Sequence, residues 1–344
     1  FTDPVSSYPI LLRMGGNGKK TSVTDNIEGL KSQTSSRNTV ALKSILNAGY
    51  CLGTDTIIQD VKWISPFSCV TVKENGLLEK NYFKGLTASK KLTYFEIEEN
   101  LVDICRKKIS CQVSLPLSAG YDSKFLARLL KNSNRSINAF SYGPKQAWDV
   151  EGGRAAAHFL SIPWKHFYYK RKQHKIFCDT IEFKRLREFS NLGVSMFYYQ
   201  DAKIISGNMD TLVDTIVING NTGDFITGGH LNKNSNELVD LDLEQEIYNS
   251  IYKLWLIEGY DEDLLEYIRA EINRLAVKYK CSSKIDLKYF FELENRQSKY
   301  VLSGQRVYDF FDLKWYLPFW WPTFLFPHLE EPKNNIVNQI HFSK

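Results

Sequence analysis

Between residues 118 and 123 the chain reads Ser-Ala-Gly-Tyr-Asp-Ser, two hydroxyls and a carboxylate grouped around small residues. The small residues let backbone amides approach an anion with no Cβ in the way, and Ser118 and Ser123 add hydroxyl donors. An apolar run, Val113–Leu117, stops at this turn, and a helical-looking stretch, Lys124–Lys131, leaves it. A helix starting here directs its positive end at the same point, so the natural guest is a phosphate or pyrophosphate. Asp122 is the odd member. A carboxylate repels a polyphosphate unless a divalent cation lies between them, which predicts Mg²⁺. A plain Ser/Gly turn joining strand to helix has the same letters, so the reading depends on what else the chain brings to this point.

Two further segments bear on it. Asn138–Gly143 is a second short apolar run ending in glycine, and Asp149–Leu160 follows with alanine-rich helical spacing. Strand, helix, strand, helix in close succession marks an α/β fold with a doubly wound parallel sheet, whose ligands lie beyond the carboxyl ends of the strands. Both loops then face one crevice. Thr215–Ile218 is a β-branched run that breaks into Asn-Gly-Asn-Thr-Gly-Asp at 219–224 and Gly-Gly-His at 228–230. It supplies Asp224, a second carboxylate at the equivalent end of a strand.

The pattern S-x-G-x-D-S after a strand resembles the pyrophosphate loop of the ATP-pyrophosphatase enzymes, which cleave ATP to AMP and pyrophosphate while adenylating a substrate. The G-K-[ST] ending of the kinase and GTPase loop does not occur at this spacing. Taken together, the three loops look like the synthetase domain of the asparagine synthetase family. There the pyrophosphate loop, an F-[AS]-x-G strand end that holds adenosine, and an S-G-E-G-[AS]-D-E-x-x-x-G-G motif follow in this order. Here the last two stand at Phe140–Gly143 and Asn219–Gly229. Ala48–Ile58 through Ile64-Ser65-Pro66 is similar to the family's linker, and Arg296–Arg306 and Trp315–Phe319 stand where it has a basic helix and an R-V-P-F-L-D segment.

The resemblance implies an ATP-pyrophosphatase (HUP-like) sheet with a helical carboxyl-terminal region and a small partial β region at the amino end. It implies a vestigial or partial glutaminase-like region over 1–40, a linker over 41–95 and a synthetase domain over 96–344. Mg-ATP would place its pyrophosphate on Ser118, Gly120, Asp122 and Ser123, and its adenosine between Leu117, Tyr142 and Gly220, with Mg²⁺ on Asp122 and Asp224. A substrate carboxylate would attack the α-phosphorus, and ammonia would then displace AMP. Arg306, after Gly304-Gln305, is the stronger basic candidate for a place near phosphate. Arg296 and Lys299, three apart and so on one helix face, fit either a solvated charged stripe or such a place.

The departures matter as much. Where the family's S-G-E-G has its acid, this chain has Asn221, and a neutral amide cannot act as a general base. Asn221 is left to orient the substrate or its adenylate. Asn219 replaces the serine and Phe225 the acid after Asp224. This variant, with Gly304–Phe311, is similar to asparagine-synthetase-like proteins of surface-polysaccharide biosynthesis, which implies amidation of a sugar carboxylate. Asparagine synthesis, lactam closure with the amine inside the substrate, and tRNA modification are the other enzymatic readings. From a different class, a non-catalytic nucleotide-binding subunit is allowed by Asn221 and by Trp321, where the family has an aspartate.

Family members open with a catalytic cysteine, whereas this chain opens at Phe1 without methionine, and its first cysteine is Cys51. Tyr8–Arg13 and Lys20–Thr24, separated by Gly15-Gly16-Asn17-Gly18, read as a β-hairpin, and Asp25–Leu30 as a helical turn. Either the amino-terminal domain is reduced and nitrogen comes as ammonia or from a separate glutaminase, or residues before Phe1 are missing; the absent methionine favours the latter. The resemblance also implies a lysine on a carboxyl-terminal loop that nothing up to Lys344 matches, hence an incomplete carboxyl end.

Composition agrees with a cytoplasmic enzyme. The 344 residues suffice for one α/β core plus a smaller region, and 43% hydrophobic with 24% charged residues is ordinary for a globular chain. No apolar stretch reaches the length of a membrane span. A net charge of +5 is modest, suiting ATP and an anionic substrate better than nucleic acid, and the basic Lys165–Lys175 reads as a solvated segment after a strand. Six cysteines without a C-x-x-C pair read as reduced thiols, not zinc ligands. His230 is the only histidine near the proposed site. Glu244–Leu256, Asp261–Tyr279 and Ser283–Leu302 carry helical periodicity.

Overall fold

The computed structural model describes residues 1–13, 15, 21–30, 35–73, 76–83, 94–197, 199, 201–229, 242–251, 261–281 and 283–320. His230, the polar loop 232–236 and Trp321 lie outside the described residues. The chain forms two compact units that interleave in sequence. One comprises Phe1–Thr87, Glu188–Tyr198 and Leu231–Gly304, and the other Ala88–Arg187, Tyr199–His230 and Gln305–Lys344.

In the first unit, β1 (Leu11–Arg13) pairs antiparallel with β2 (Ser22–Thr24), the hairpin read from the sequence, and on its other side with β3 (Val61–Trp63). Ile27–Leu30 forms a single 3₁₀ turn. The inward residues Leu11, Ile27, Leu30, Val61 and Trp63 are buried with Ile58, Leu192 and Val194. Each such side chain contributes roughly 1.5–3 kcal/mol of burial free energy. A separate antiparallel pair is β4 (Ser68–Lys73) with β5 (Gly76–Asn81). The helix Thr39–Ala48 begins at Asn38, whose side chain accepts from the Ala41 amide, and ends at Gly49, whose φ of 90° admits a left-handed cap. Glu262–Tyr279 starts likewise at Asp261, which accepts from Leu264 N.

The periodicity over Ser283–Leu302 leads one to expect a single α-helix. The structure instead has an α-helix, Lys284–Phe291, running into a ten-residue π-helix, Glu292–Val301. Its wider turn pairs residues five apart: Gln297 Nε2 donates to Glu292 Oε1 at 3.1 Å, and Ser298 Oγ to Leu293 O at 2.8 Å. Long π-helices are rare because the nucleus is costly, so something must hold this one. What holds it is a buried ionic knot. Glu294, with no exposed surface, accepts from Lys278 Nζ at 2.9 Å, Tyr279 Oη at 2.7 Å and Arg274 Nη2. Asn295 accepts from Gly53 N at 2.8 Å and donates to Glu271 at 2.9 Å. Lys299 is neither a solvated stripe nor a phosphate ligand. It is fully buried, and its ammonium donates to the carbonyls of Cys51 and Gly53, both at 2.7 Å, and to Asn295 Oδ1 at 3.2 Å. Burial lowers its pKa to about 8, with Glu271 opposing.

The second unit is α/β, as the sequence indicates. Five strands lie in the order β10-β9-β6-β7-β8, all parallel: β6 (Val113–Pro116), β7 (Ile137–Gly143), β8 (Trp164–Tyr168), β9 (Ile216–Ile218) and β10 (Lys314–Tyr316). In the central strand Val113, Ser114 and Leu115 are buried in succession, so both faces are covered, as expected of a parallel strand. The chain runs outward from β6 to β8, then returns to place β9 on the other side of β6. The order therefore reverses between β6 and β9, the place where such sheets open a crevice at their carboxyl ends.

Candidate functional site

Two turns end the strands at that reversal. After β6 the chain passes Leu117–Gly120 and enters the helix Tyr121–Asn132; after β9 it passes Asn219–Thr222 and enters the short helix Gly223–Ile226. The turns lie on one another. A Cβ on Gly220 would stand 3.1 Å from Ser123 N, and one on Gly223 would stand 2.3 Å from Asp122 Cγ. Glycine leaves room for both approaches. Asp224 N donates to Asp122 Oδ2 at 3.1 Å, so the two carboxylates named from the sequence are on adjoining backbone. Asp122 is half-buried and Asp224 exposed.

Within the first turn the hydroxyls knit the backbone. Ser118 N donates to Ser123 Oγ, the two hydroxyl oxygens are 3.1 Å apart, and Gly120 N donates to Ser118 Oγ, also at 3.1 Å. Ser118 and Ser123 therefore set the loop's shape, and the amides of the helix's first turn are those that helix geometry leaves facing outward. The loop is also fixed from behind. A Cβ on Gly152 would meet Ala119 Cβ at 2.3 Å, and one on Gly153 would meet Leu117 O at 2.3 Å, so the helix Trp148–Phe159 lies directly against it. Ser141 Oγ donates to Leu117 O at 2.5 Å and accepts from Trp164 Nε1 at 2.9 Å. Sequence reasoning missed this glycine pair. The available signal was two adjacent glycines in an alanine-rich helix, which weaken a helix unless packing requires them.

The second turn is strained. Thr222 is buried with φ 80° and ψ −8°, a left-handed conformation that a β-branched residue rarely adopts, and its Oγ1 accepts from Trp320 Nε1 at 2.6 Å. Asn219 is buried and its Nδ2 donates to Gln305 Oε1 at 2.9 Å. Asn221 is exposed at the tip of the turn. Arg306 is buried, its Nη1 3.4 Å from Asp309 Oδ2, on the residue after the Gln305 that holds Asn219. Leu117 is buried, Tyr142 half-buried and Gly220 partly exposed. Tyr142 donates to Asp201, whose pKa burial raises and this hydrogen bond pulls back.

Among the described residues no group of three or more His, Cys, Asp or Glu could hold a metal ion. Two carboxylates with outside oxygens completing the shell is the habit of Mg²⁺, which binds through one or two carboxylates, waters and substrate phosphates. The pair Asp122 and Asp224 fits that donor set. No described helix is long and apolar enough to cross a membrane. All six cysteines are free thiols, and burial pushes Cys51 up to about 12.

No protein-family model matches the chain, and no curated protein matches it. Among solved structures it is similar to an NMN synthetase from Francisella tularensis, at 15% identity and a TM-score of 0.30, over 56% of this chain and 98% of that one. An NH3-dependent NAD synthetase from Campylobacter jejuni gives 14% identity and 0.29 over the same shares. A glutamine-dependent NAD(+) synthetase from Cytophaga hutchinsonii gives 13% identity and 0.29 over 83% of this chain and 59% of that one. Likenesses this remote lie below the level at which activity or substrate can be read across.

Proposed function

We propose that this chain is an ATP-dependent amide-forming ligase of the ATP-pyrophosphatase type. It would adenylate a substrate carboxylate with release of pyrophosphate and pass the acyl group to ammonia. The observation that carries the reading is the meeting of Asp122 with the Gly220–Asp224 turn at the point where the strand order reverses. A helix start, two hydroxyls and two carboxylates on adjoining backbone answer the needs of a metal-bound polyphosphate. Phosphate without a metal would be repelled by Asp122 and Asp224.

In this reading Ser118, Gly120 and Ser123 shape the cradle, and the first-turn amides of the helix Tyr121–Asn132 receive the phosphate oxygens. Asp122 and Asp224 hold Mg²⁺, which supplies positive charge against the departing pyrophosphate. Leu117, Tyr142 and Gly220 line the adenosine, largely through backbone. Asn221, exposed at the turn's tip, orients the carboxylate substrate by hydrogen bonding, since its amide cannot take a proton. Arg306 adds positive charge at the base of the Asn219 turn, fixed in place by Asp309.

The substrate we infer is a sugar uronic acid of surface-polysaccharide biosynthesis, with nitrogen arriving as ammonia or from a separate glutaminase. It is supported by the Asn-Gly-Asn-Thr-Gly-Asp variant and its exposed amide. The same amide favours a second reading, a subunit that binds nucleotide without turning it over. Pyrophosphate release from Mg-ATP separates the two, measured with ammonia or glutamine across nucleotide-linked uronic acids and aspartate. Release that depends on one acid supports the ligase. Nucleotide binding with no release under any acid favours the binding subunit, and no binding at all removes both.

A further inference from the structure

The sequence alone makes Lys165–Lys175 a solvated basic segment, and the structure adds what lies beside it. From Lys165 to Glu188 eight bases stand against three acids, an excess equal to the net +5 of the whole chain. Most of these bases are on two consecutive helices, Arg171–Cys178 and Ile181–Ser190. Arg171, Lys172, Lys175, Lys184, Arg185 and Arg187 are all exposed, and none forms an ion pair among the described residues. Of the acids, Glu182 is already engaged, accepting from Ser206 Oγ at 2.8 Å.

The same two helices leave apolar side chains in water. Ile176 is 58% exposed and Ile181 71%, whereas Phe177, Phe183 and Leu186 beside them are buried. Phe177 and Phe183 meet edge to face at 5.7 Å, which turns the buried sides of both helices toward one layer. The linking turn is short and fixed: Thr180 N donates to Phe177 O at 3.0 Å, and Thr180 Oγ accepts from Phe183 N at 3.1 Å. Ile176 lies in the last turn of one helix and Ile181 is the first residue of the next, so both stand at this corner. With about 3.6 residues per turn, Ile181 lies on the side of its helix away from Phe183, flanked by Lys184 and Arg185 three and four residues on. Lys172 flanks Ile176 in the same way, four residues before it. Single exposed apolar side chains need no explanation, but two at one corner among unpaired bases do.

Charge and apolar side chains together select the partner. Bases alone would serve any polyanion. Single-stranded nucleic acid is held by bases together with aromatic faces on which nucleobases stack. This corner offers aliphatic side chains instead, and the exposed Tyr168 has Lys145 Nζ over its ring at 5.5 Å. An acidic protein would need a preformed apolar pocket for each isoleucine. Side chains this exposed project outward, and fluid acyl chains accept them without a pocket. We propose that the corner between these two helices docks the chain on an anionic lipid surface, with Ile176 and Ile181 below the headgroups and the flanking bases on lipid phosphates. The contact is peripheral and reversible, since two isoleucines and a basic patch fall far short of a membrane-spanning segment. It is independent of the nucleotide reading.

Flotation of the full chain with lipid vesicles tests this. Wild type should float with vesicles of phosphatidylcholine mixed with phosphatidylglycerol and stay behind with phosphatidylcholine alone. Ile176→Ser with Ile181→Ser keeps every charge and should weaken partition into the mixed vesicles about tenfold or more, the worth of burying one apolar side chain. Lys172→Gln, Lys175→Gln, Lys184→Gln and Arg185→Gln combined should weaken it by on the order of a hundredfold or more, since each base near an anionic surface is worth roughly fivefold. All six positions are exposed, so both variants should keep wild-type circular dichroism and urea unfolding, which ties the loss to the surface. Wild type that fails to float with the mixed vesicles, or floats equally with both kinds, overturns the proposal, and this arm needs no variant. So does full binding by the variant carrying Ile176→Ser and Ile181→Ser, which would leave a charge patch open to any polyanion. Retention of a mixed-sequence RNA or of polyglutamate without flotation would assign the bases to that partner and overturn it likewise.

Discussion

Glu294 and Asp122 are both acidic side chains built into helices, and they are used in opposite ways. Glu294 is sealed in the first unit and meets Lys278, Tyr279 and Arg274, so its charge is cancelled inside the fold. Asp122 stands half-buried at a helix start, touching the main chain of Gly223 and Asp224, with a second carboxylate exposed beside it. Desolvated charge has to be answered internally or the fold does not form. Charge at a partly wet turn keeps a face open to solvent, which a cation arriving with a ligand can reach. The comparison says that a cluster's burial, more than its density of charge, separates architecture from a binding site.

The largest expected effect tests the buried half of that contrast. Glu294→Ala should cost about 3–5 kcal/mol in urea unfolding, because it takes from the nearly buried Lys278 side chain its acid and leaves the half-buried Arg274 only Glu271. The same knot has a pH signature. Burial alone would raise the pKa of Glu294, but Lys278 and Arg274 outweigh it and hold the carboxyl below its ordinary 4.5, at about 2. A depressed acid contributes stability that is whole above the unfolded value and is lost as pH falls through the folded one. Wild type should therefore lose unfolding free energy between about pH 4.5 and 2 more steeply than Glu294→Gln does. Parallel slopes would mean that the knot is not the charge store it resembles.

The exposed half predicts the reverse pairing of effects. Asp122→Asn should lower kcat/KM for pyrophosphate release by about 10²–10³-fold, the scale of losing one electrostatic stabiliser in a reaction centre. Its unfolding free energy should stay within about 0.5 kcal/mol of wild type, as for an ordinary substitution near the surface. A large stability loss with activity kept would put Asp122 on the same footing as Glu294 and erase the contrast.

How far each region was legible in the sequence follows the same line. The strand, turn and helix around Ser118–Ser123 and the glycine turn after β9 could be read because local residue types carry their geometry: small residues, a β-branched run, a helix start. The amino-terminal hairpin was legible for the same reason. The knot was not. Lys299 and Glu294 look like solvated charges because their partners, Cys51, Gly53, Arg274 and Lys278, are distant in sequence or set by a π-helix whose wider turn a 3.6-residue period does not reveal. Thr222 reads as an ordinary turn residue until its φ is known.

Two glycines sharpen the comparison at smaller scale. Gly153→Ala would drive a Cβ into the carbonyl of Leu117, which is main chain and must itself shift. It should cost about 1–3 kcal/mol of stability, as overpacking does. Gly223→Ala would press instead on the carboxylate of Asp122, the movable end of a side chain. Unfolding should hardly change, while pyrophosphate release drops about tenfold to a hundredfold as the proposed metal-holding group is displaced. Measured side by side, the two variants should split stability from activity across a single turn; equal effects on both would show that Asp122 has no room to move.

The smallest effect is expected at Thr222, where opposing contributions nearly cancel. A β-branched residue at φ 80° carries about 1–3 kcal/mol of strain. Glycine would release it, but would forfeit the hydrogen bond from Trp320, worth about 0.5–1.5 kcal/mol. Glycine would also give the unfolded chain more freedom to lose, roughly 0.4–1 kcal/mol. The centres of these ranges nearly cancel, so Thr222→Gly should shift unfolding by about 2 kcal/mol at most in either direction. Activity is the informative reading. If the strain holds Gly223 and Asp224 against Asp122, loosening the turn should raise the Mg²⁺ concentration needed for half-maximal pyrophosphate release. An unchanged Mg²⁺ requirement would make the strained threonine a by-product of packing Trp320, and the proposed metal pair would then owe its placement to the two glycines alone.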